Sequence, residues 1–288
     1  MELSRFKGLG AVTIIESGSV AAVIDSLGAK CLALMIEGQN QLFYEESDIG
    51  HSGIPICFPS FGPLDNQELI HGGKAWPMKQ HGFARDLELK LIETTDRLAR
   101  YALTENEETL KRYPFKFQFV VTHQLQADGL SIELSIHNRS NEPMPISPGI
   151  HPYFSVDDPA TVTVTTKADF GHNNLNDYQK ETLTDAKCFE IANEKDGIKT
   201  LQIHSNPDQH LSDHGLKVTR LTRGNQRAVS IDCDLSIFKM MTIWRKTPEA
   251  KYICVEPANF KNGLNIKPNW IAPDETVETQ IRMTFEKI

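Results

Sequence analysis

The sequence has no apolar run long enough to cross a bilayer. Its longest, Cys31 to Ile36, falls far short of the ~18 residues a membrane-spanning helix needs. The opening residues, Met1 to Lys7, lack the apolar stretch of an export signal. A basic surplus is missing too: 30 Lys and Arg stand against 38 Asp and Glu, for a formal net charge of -8. A general nucleic-acid binder would need a cationic face to neutralise phosphates. There are only five cysteines (Cys31, Cys57, Cys188, Cys233 and Cys254), odd in number, irregular in spacing and without a Cys-x-x-Cys pair. That argues against a disulfide framework or a zinc site and favours reduced, mostly buried thiols. No dinucleotide fingerprint, P-loop or nucleophile elbow occurs, and Gly72-Gly73-Lys74 lacks the pattern around a P-loop. Internal repeats, low-complexity tracts and linkers are absent as well. These absences predict a cytoplasmic protein, monomer or weak homodimer, whose residues 1–288 form one domain with no membrane, nucleic-acid or metal partner.

What is present is β-patterning. Phe117, Phe119, Val121 and Leu125 alternate with polar residues, and Leu130, Ile132, Leu134 and Ile136 repeat the pattern. Ala127-Asp128-Gly129 between them suits a three-residue hairpin with glycine in the left-handed position. Val12 to Ile15, Val20 to Ile24 and Leu32 to Ile36 read as a meander. Met241 to Trp244 and Tyr252 to Val255 read as a pair around Lys246-Thr247-Pro248-Glu249. Val277, Thr279, Ile281, Met283 and Phe285 alternate as a last strand that closes the sheet. One short helix is predicted, Glu105 to Tyr113, behind a capping box at Thr104 and stopped by Pro114. Gly53 to Pro63 is too rich in proline for a central strand and is expected to form the rim of a site. Residues 167–227 read as strands joined by exposed loops. The fold class is all-β, a large antiparallel sandwich of two packed sheets.

Three stretches place a titratable residue beside rigid Gly or Pro: Lys79-Gln80-His81-Gly82-Phe83-Ala84-Arg85, Pro148-Gly149-Ile150-His151-Pro152-Tyr153-Phe154, and Cys254-Val255-Glu256-Pro257. With Gly53-Ile54-Pro55-Ile56-Cys57-Phe58-Pro59, and in the same order along nearly the whole chain, they resemble the aldose 1-epimerase (mutarotase) family. The closer likeness is to its bacterial aldose 1-epimerase-like and hexose-6-phosphate branches. The resemblance implies a galactose mutarotase-like β-sandwich and a cofactor-free isomerase acting on a sugar or sugar phosphate. It also implies Glu256 as general base at the anomeric hydroxyl and His151 as acid at the ring oxygen. One carboxylate and one histidine suit this chemistry, because each group must both give and take a proton near neutral pH.

His81 and Arg85 resemble the family's substrate-contacting pair. Arg85 also has the plainer reading of an ion pair with Asp86 or Glu88. Trp244 is a candidate apolar wall for the sugar or, equally, a core tryptophan. Asp213 falls where related enzymes place a further acidic sugar ligand. One departure stands out: the hexose-6-phosphate branch carries an arginine before its Gly-Ile-Pro, and here that place reads His51-Ser52-Gly53. The remaining histidines form no metal set, since His210 and His214 flank a turn. The alternative reading is a carbohydrate-binding or regulatory protein on the same fold that has lost catalysis.

Overall fold

The structure, a computed structural model, describes Phe6, Gly8 and residues 10–288. Apart from Phe6, the residues behind the export-signal expectation lie outside it. The two best-patterned segments form an antiparallel hairpin, Phe117–Gln126 with Gly129–Asn138, in which Phe119 faces Ile136 and Val121 faces Leu134. The loop differs from the expectation. Gln126 pairs with Gly129, so only Ala127 and Asp128 connect the strands, and Gly129 is not left-handed. It is glycine because a Cβ there would stand 1.9 Å from the carbonyl oxygen of Met283 on the adjoining strand.

That adjoining strand, Thr276–Glu286, does not close the sheet. It lies in the middle of a ten-stranded sheet, paired on one side with Gly129–Asn138 and on the other with Gln226–Cys233. The chain's last strand thereby joins the hairpin half (Lys90–Thr94, Leu98–Thr104, Phe117–Gln126, Gly129–Asn138) to a half built from Val162–Thr166, Phe189–Lys195, Ile198–Ile203, Val218–Arg223 and Gln226–Cys233. A six-stranded sheet runs in the order Tyr153–Ser155, Tyr252–Ala258, Met240–Trp244, Asp208–Leu211, Phe170–Asn173, Gln179–Thr182. The amino-terminal meander of Val12–Ser17, Val20–Asp25, Lys30–Ile36 and Gln39–Asn40 is a separate four-stranded sheet. All of these strand pairs are antiparallel, as expected.

One continuous core joins the sheets, with Phe154 of the six-stranded sheet meeting Phe285 of the ten-stranded sheet at 6.3 Å between rings. Arg223 is fully buried at this join. It donates to the carbonyls of Gln41, Ser155 and Arg227 and to the Gln41 side chain, so its charge is met by four oxygens.

Two further expectations change. The predicted helix is a single turn, Glu107–Leu110, capped by Asn106, whose side chain accepts from Glu108 and Thr109 N–H. Gly53 to Pro63 is not a rim. Ser52 to Gly62 is wholly buried, and its carbonyls serve neighbouring chain: Pro55 O accepts from His151 N–H (3.0 Å) and Pro59 O from Ser147 N–H (2.8 Å). Prolines have no donor of their own to satisfy here, so the segment can be buried by giving its acceptors to others. It forms the floor of the site.

Candidate functional site

Strand register assembles the site. In the six-stranded sheet Glu256 pairs with Thr242, and Thr242 with His210. One step along, Cys254 pairs with Trp244, and Trp244 with Asp208. Cross-strand partners share a face, and residues two apart along a strand do as well. Glu256, Thr242, Trp244, His210 and Asp208 therefore all front one cavity of about 480 Å³, which Lys30, His51, His81, Arg85, His151 and Tyr153 complete. A hexose fits within that volume.

His151 enters between Pro148 and Pro152. Its N–H is held by Pro55 O, and its ring stacks on Tyr153 at 4.7 Å and 15°. Its Nε2 lies 3.4 Å from Glu256 Oε1. The two side chains are buried, with Glu256 1% and His151 9% exposed. Yet both carboxylate oxygens of Glu256 and Nδ1 of His151 have no hydrogen-bond partner. Buried polar atoms are usually satisfied, so orphans converging on a cavity mark the place where a ligand's hydroxyls belong. Burial, reinforced by the nearby charge of Asp208, pushes the Glu256 carboxyl well above its ordinary range. Burial, with Arg85 adding repulsion, holds His151 down at about 3. Burial therefore favours the uncharged form of each group, the carboxylic acid of Glu256 and the neutral ring of His151.

The sequence-predicted residues mostly converge. His81, left-handed at φ 67 beside Gly82 at φ 74, turns its ring toward Phe61 (5.0 Å) and His151 (5.4 Å). A Cβ on Gly82 would stand 2.2 Å from Phe58 O, so this approach to the floor requires glycine. Gly62 N–H donates to His81 Nδ1 (3.2 Å). Burial favours the neutral ring, whose Nε2 lies 3.2 Å from the side-chain amide nitrogen of Gln80. Arg85 lines the cavity and donates to Gln80 O (3.2 Å). It pairs with neither of its sequence-suggested partners: Asp86 takes Lys79 at 3.4 Å, and Glu88 accepts from Ser26 Oγ at 2.5 Å. Trp244 is a cavity wall, stacked on His51 (5.9 Å, 14°) and edge-on to His151 (5.6 Å).

Asp213 is the exception. The strand Asp208–Leu211 ends before it, and Asp213 sits in the following turn, lining a different, smaller cavity and facing Asp169 N–H at 3.4 Å. Besides Glu256, the acidic residues that line the main cavity are Asp86 and Asp208, and Asn174 donates to Asp208 Oδ2 at 3.1 Å. Sequence reasoning also missed Lys30, His210 and Asn174. For His210 the alternation of residues 208, 210, 242 and 244 offered a signal, but period two does not say which strands are neighbours, and Lys30 and Asn174 had no local signal.

Ligand-type atoms of His151, Cys254 and Glu256 lie within 4.8 Å of one another, the one such grouping among the described residues. Burial keeps the Cys254 thiol far above its usual range and so protonated, which does not suit a metal-binding thiolate. All five cysteines are free. No helix among the described residues is long and apolar enough to cross a membrane.

Comparison with known proteins bears on the family and the fold. The chain is 28% identical over 183 residues to an Escherichia coli (strain K12) protein named "Putative glucose-6-phosphate 1-epimerase". That match takes in 60% of this chain and 58% of the other. A Salmonella typhimurium (strain LT2) protein of the same name is 31% identical over 183 residues, with the same shares, 60% and 58%. Among solved structures, a Synechocystis sp. PCC 6803 protein superposes with a TM-score of 0.85 at 23% identity over the full length of both chains. A galactose mutarotase-like protein from Lactobacillus casei gives a TM-score of 0.81 at 21% identity, covering 96% of this chain and all of the other. At those identities the structures speak for the fold. The family itself is shown by the model described as Aldose 1-epimerase, which matches residues 48–277, and the chain belongs to that family.

Proposed function

We propose that the protein is an aldose 1-epimerase that interconverts the α and β anomers of a hexose or hexose 6-phosphate, working in the cytoplasm. The observation that carries this reading is the buried Glu256–His151 pair, 3.4 Å apart, with unsatisfied atoms open to a sugar-sized cavity. Interconversion needs a proton taken from the anomeric hydroxyl and a proton given to the ring oxygen. A pair that holds one proton between two bases supplies both without net change.

Burial favours the proton on Glu256 over His151. Sugar hydroxyls would supply the hydrogen bonds that the Glu256 oxygens lack. They favour the carboxylate and move the proton to His151. Glu256 then takes the proton from O1 while His151 gives one to O5. The C1–O5 bond breaks, its electron pair goes to O5, and C1 becomes the aldehyde carbon. Rotation about C1–C2 and reclosure with the roles reversed yield the other anomer and restore the pair. Asp208 and His210 stand two strands away from Glu256, with Asn174 in the turn after the next strand, placed to hold hydroxyls on the far side of the ring. His81 and Trp244 complete the wall.

Exchange NMR of the anomeric protons tests the reading. Wild-type protein should accelerate exchange, and Glu256→Gln, an isosteric copy of the protonated acid, should lose the acceleration. Wild-type-like exchange in Glu256→Gln would overturn the assignment of the base. Tight sugar binding by the wild type with no acceleration would mark a binding protein instead.

A further inference from the structure

Lys30 and Arg85 both line the cavity, and among the described residues no carboxylate forms an ion pair with either. Lys30 opens the strand Lys30–Ile36 of the amino-terminal sheet and is 6% exposed. Arg85 lies in the turn Ala84–Asp86. The two segments are locked together. Gly28 N–H donates to Leu87 O (2.8 Å), and at φ 72 Gly28 comes so close that a Cβ there would stand 2.7 Å from Arg85 Cα.

Lys30 Nζ uses one of its protons on Ile49 O, at 2.8 Å. The buried Nε of Arg85 has no partner. The carboxylates around them are engaged elsewhere: Asp48 with His51 (2.8 Å), Asp86 with Lys79 (3.4 Å), and Asp25 with the N–H groups of Gly10 (3.1 Å) and Leu27 (3.0 Å). Arg223 and Arg245, by contrast, are buried with every donor group matched to carbonyl or amide oxygens. Holding a buried lysine beside an arginine with no carboxylate in ion-pair reach of either costs stability. Burial, opposed by Asp25, Asp86 and Asp48 and assisted by Arg85, already weakens the hold of Lys30 on its proton. An arriving anion would relieve that repulsion.

We propose that Lys30, together with Arg85, holds an anionic group on C6 of the sugar and sets the preference for an anionic hexose over a neutral one. The inference rests on the epimerase reading for the pose. C6 is attached to C5, and C5 is bonded to the ring oxygen that His151 serves. The C6 substituent therefore lies on the His151 side of the ring, not the Glu256 side. Arg85 is placed accordingly, since its charge bears on His151 and on Lys30, while Glu256 answers instead to Asp208. The arginine that precedes Gly-Ile-Pro in the hexose-6-phosphate branch has no substitute at its own position. Asp48 holds His51 there, and Ser52 is buried, accepting from Glu45 N–H at 2.9 Å. Lys30 delivers the missing charge from another strand, about twenty residues earlier in the chain.

The test measures kcat and KM for a hexose, its 6-phosphate and the matching hexuronate by anomeric exchange NMR, for wild type, Lys30→Gln and Lys30→Arg. A charge-assisted hydrogen bond is worth roughly 10- to 100-fold in affinity. In Lys30→Gln the ratio of kcat/KM for the anionic sugar to that for the neutral one should fall by about that factor, mainly through KM. Lys30→Arg should restore most of it, which separates lost charge from damaged folding. The 6-phosphate and hexuronate arms show whether phosphate or carboxylate is the group held. An unchanged ratio in folded Lys30→Gln, or an equal loss for anionic and neutral sugars, overturns the proposal. If wild type accelerates no sugar, the epimerase reading fails, and titration with the 6-phosphate and inorganic phosphate still decides Lys30. Weaker binding in Lys30→Gln than in wild type supports the proposal, and equal binding overturns it.

Discussion

His214 and His151 are both buried histidines, and their surroundings differ in kind. His214, against the ten-stranded sheet, has a hydroxyl on each ring nitrogen: Thr166 Oγ1 at 2.9 Å from Nδ1 and Thr219 Oγ1 at 2.7 Å from Nε2. Burial holds it at about 4. His151, over the six-stranded sheet, is held at about 3 by burial and by Arg85, but its Nδ1 is unpartnered and its Nε2 meets only Glu256. A depressed pKa does not separate the two. Unmet hydrogen bonds beside a cavity do, because a structural histidine spends its polar atoms on the fold and a working one keeps them for a ligand.

The sharpest way to break this comparison is to remove the proposed acid–base pair. Glu256→Gln or His151→Asn should lower kcat/KM by ~10² to 10⁴-fold, the usual worth of one acid–base group. Glu256→Gln should not lower the melting temperature, since it removes a buried acid without changing shape. A variant that unfolds would mean that Glu256 is structural after all. His214→Ala should do the opposite. It strands two threonine hydroxyls, should cost about 1–3 kcal/mol of stability, and should leave kcat alone. Chemical denaturation beside exchange kinetics separates these outcomes.

The boundary of the site gives a smaller contrast. Asp208→Asn should raise KM about tenfold, as the loss of a charge-assisted hydrogen bond would, while Asp213→Asn should stay within about twofold. Equal effects would place Asp213 back in the site.

The pH response should be the gentlest test, and the two regions pull in opposite directions. The folded pKa of His214 lies below its ordinary 6.5, so the unfolded chain takes the proton first. Its contribution to stability is complete above 6.5 and is lost as pH falls toward about 4. Glu256 is raised above its ordinary 4.5, so its contribution is complete below 4.5 and is lost as pH rises through the elevated folded value. Unfolding curves across pH should show Glu256→Gln flattening only the alkaline decline and His214→Ala only the acid one. Equal slopes in both variants would show that neither group titrates as its burial dictates.

Period-two alternation was enough to identify Phe117–Gln126, Gly129–Asn138 and Thr276–Glu286 as strands, and the order of four short motifs was enough to single out His81, Arg85, His151 and Glu256. Each of those signals is local, carried by residues that are neighbours in the chain. Alternation reports which face of a strand is buried, not which strand lies beside it. For that reason the middle position of Thr276–Glu286 and the row Glu256, Thr242, His210 belong to the tertiary structure alone. The same holds for the proline-rich segment, which is floor instead of rim because other chain segments use its carbonyls. Asp208 displaced Asp213, and Lys30 joined Arg85, through contacts between segments far apart in sequence. Local patterning determined what could form a strand and which residues could do chemistry. Long-range packing decided which of them share a cavity, because strand partners and close backbone approaches, such as Gly28 on Arg85, are made only when the whole core closes.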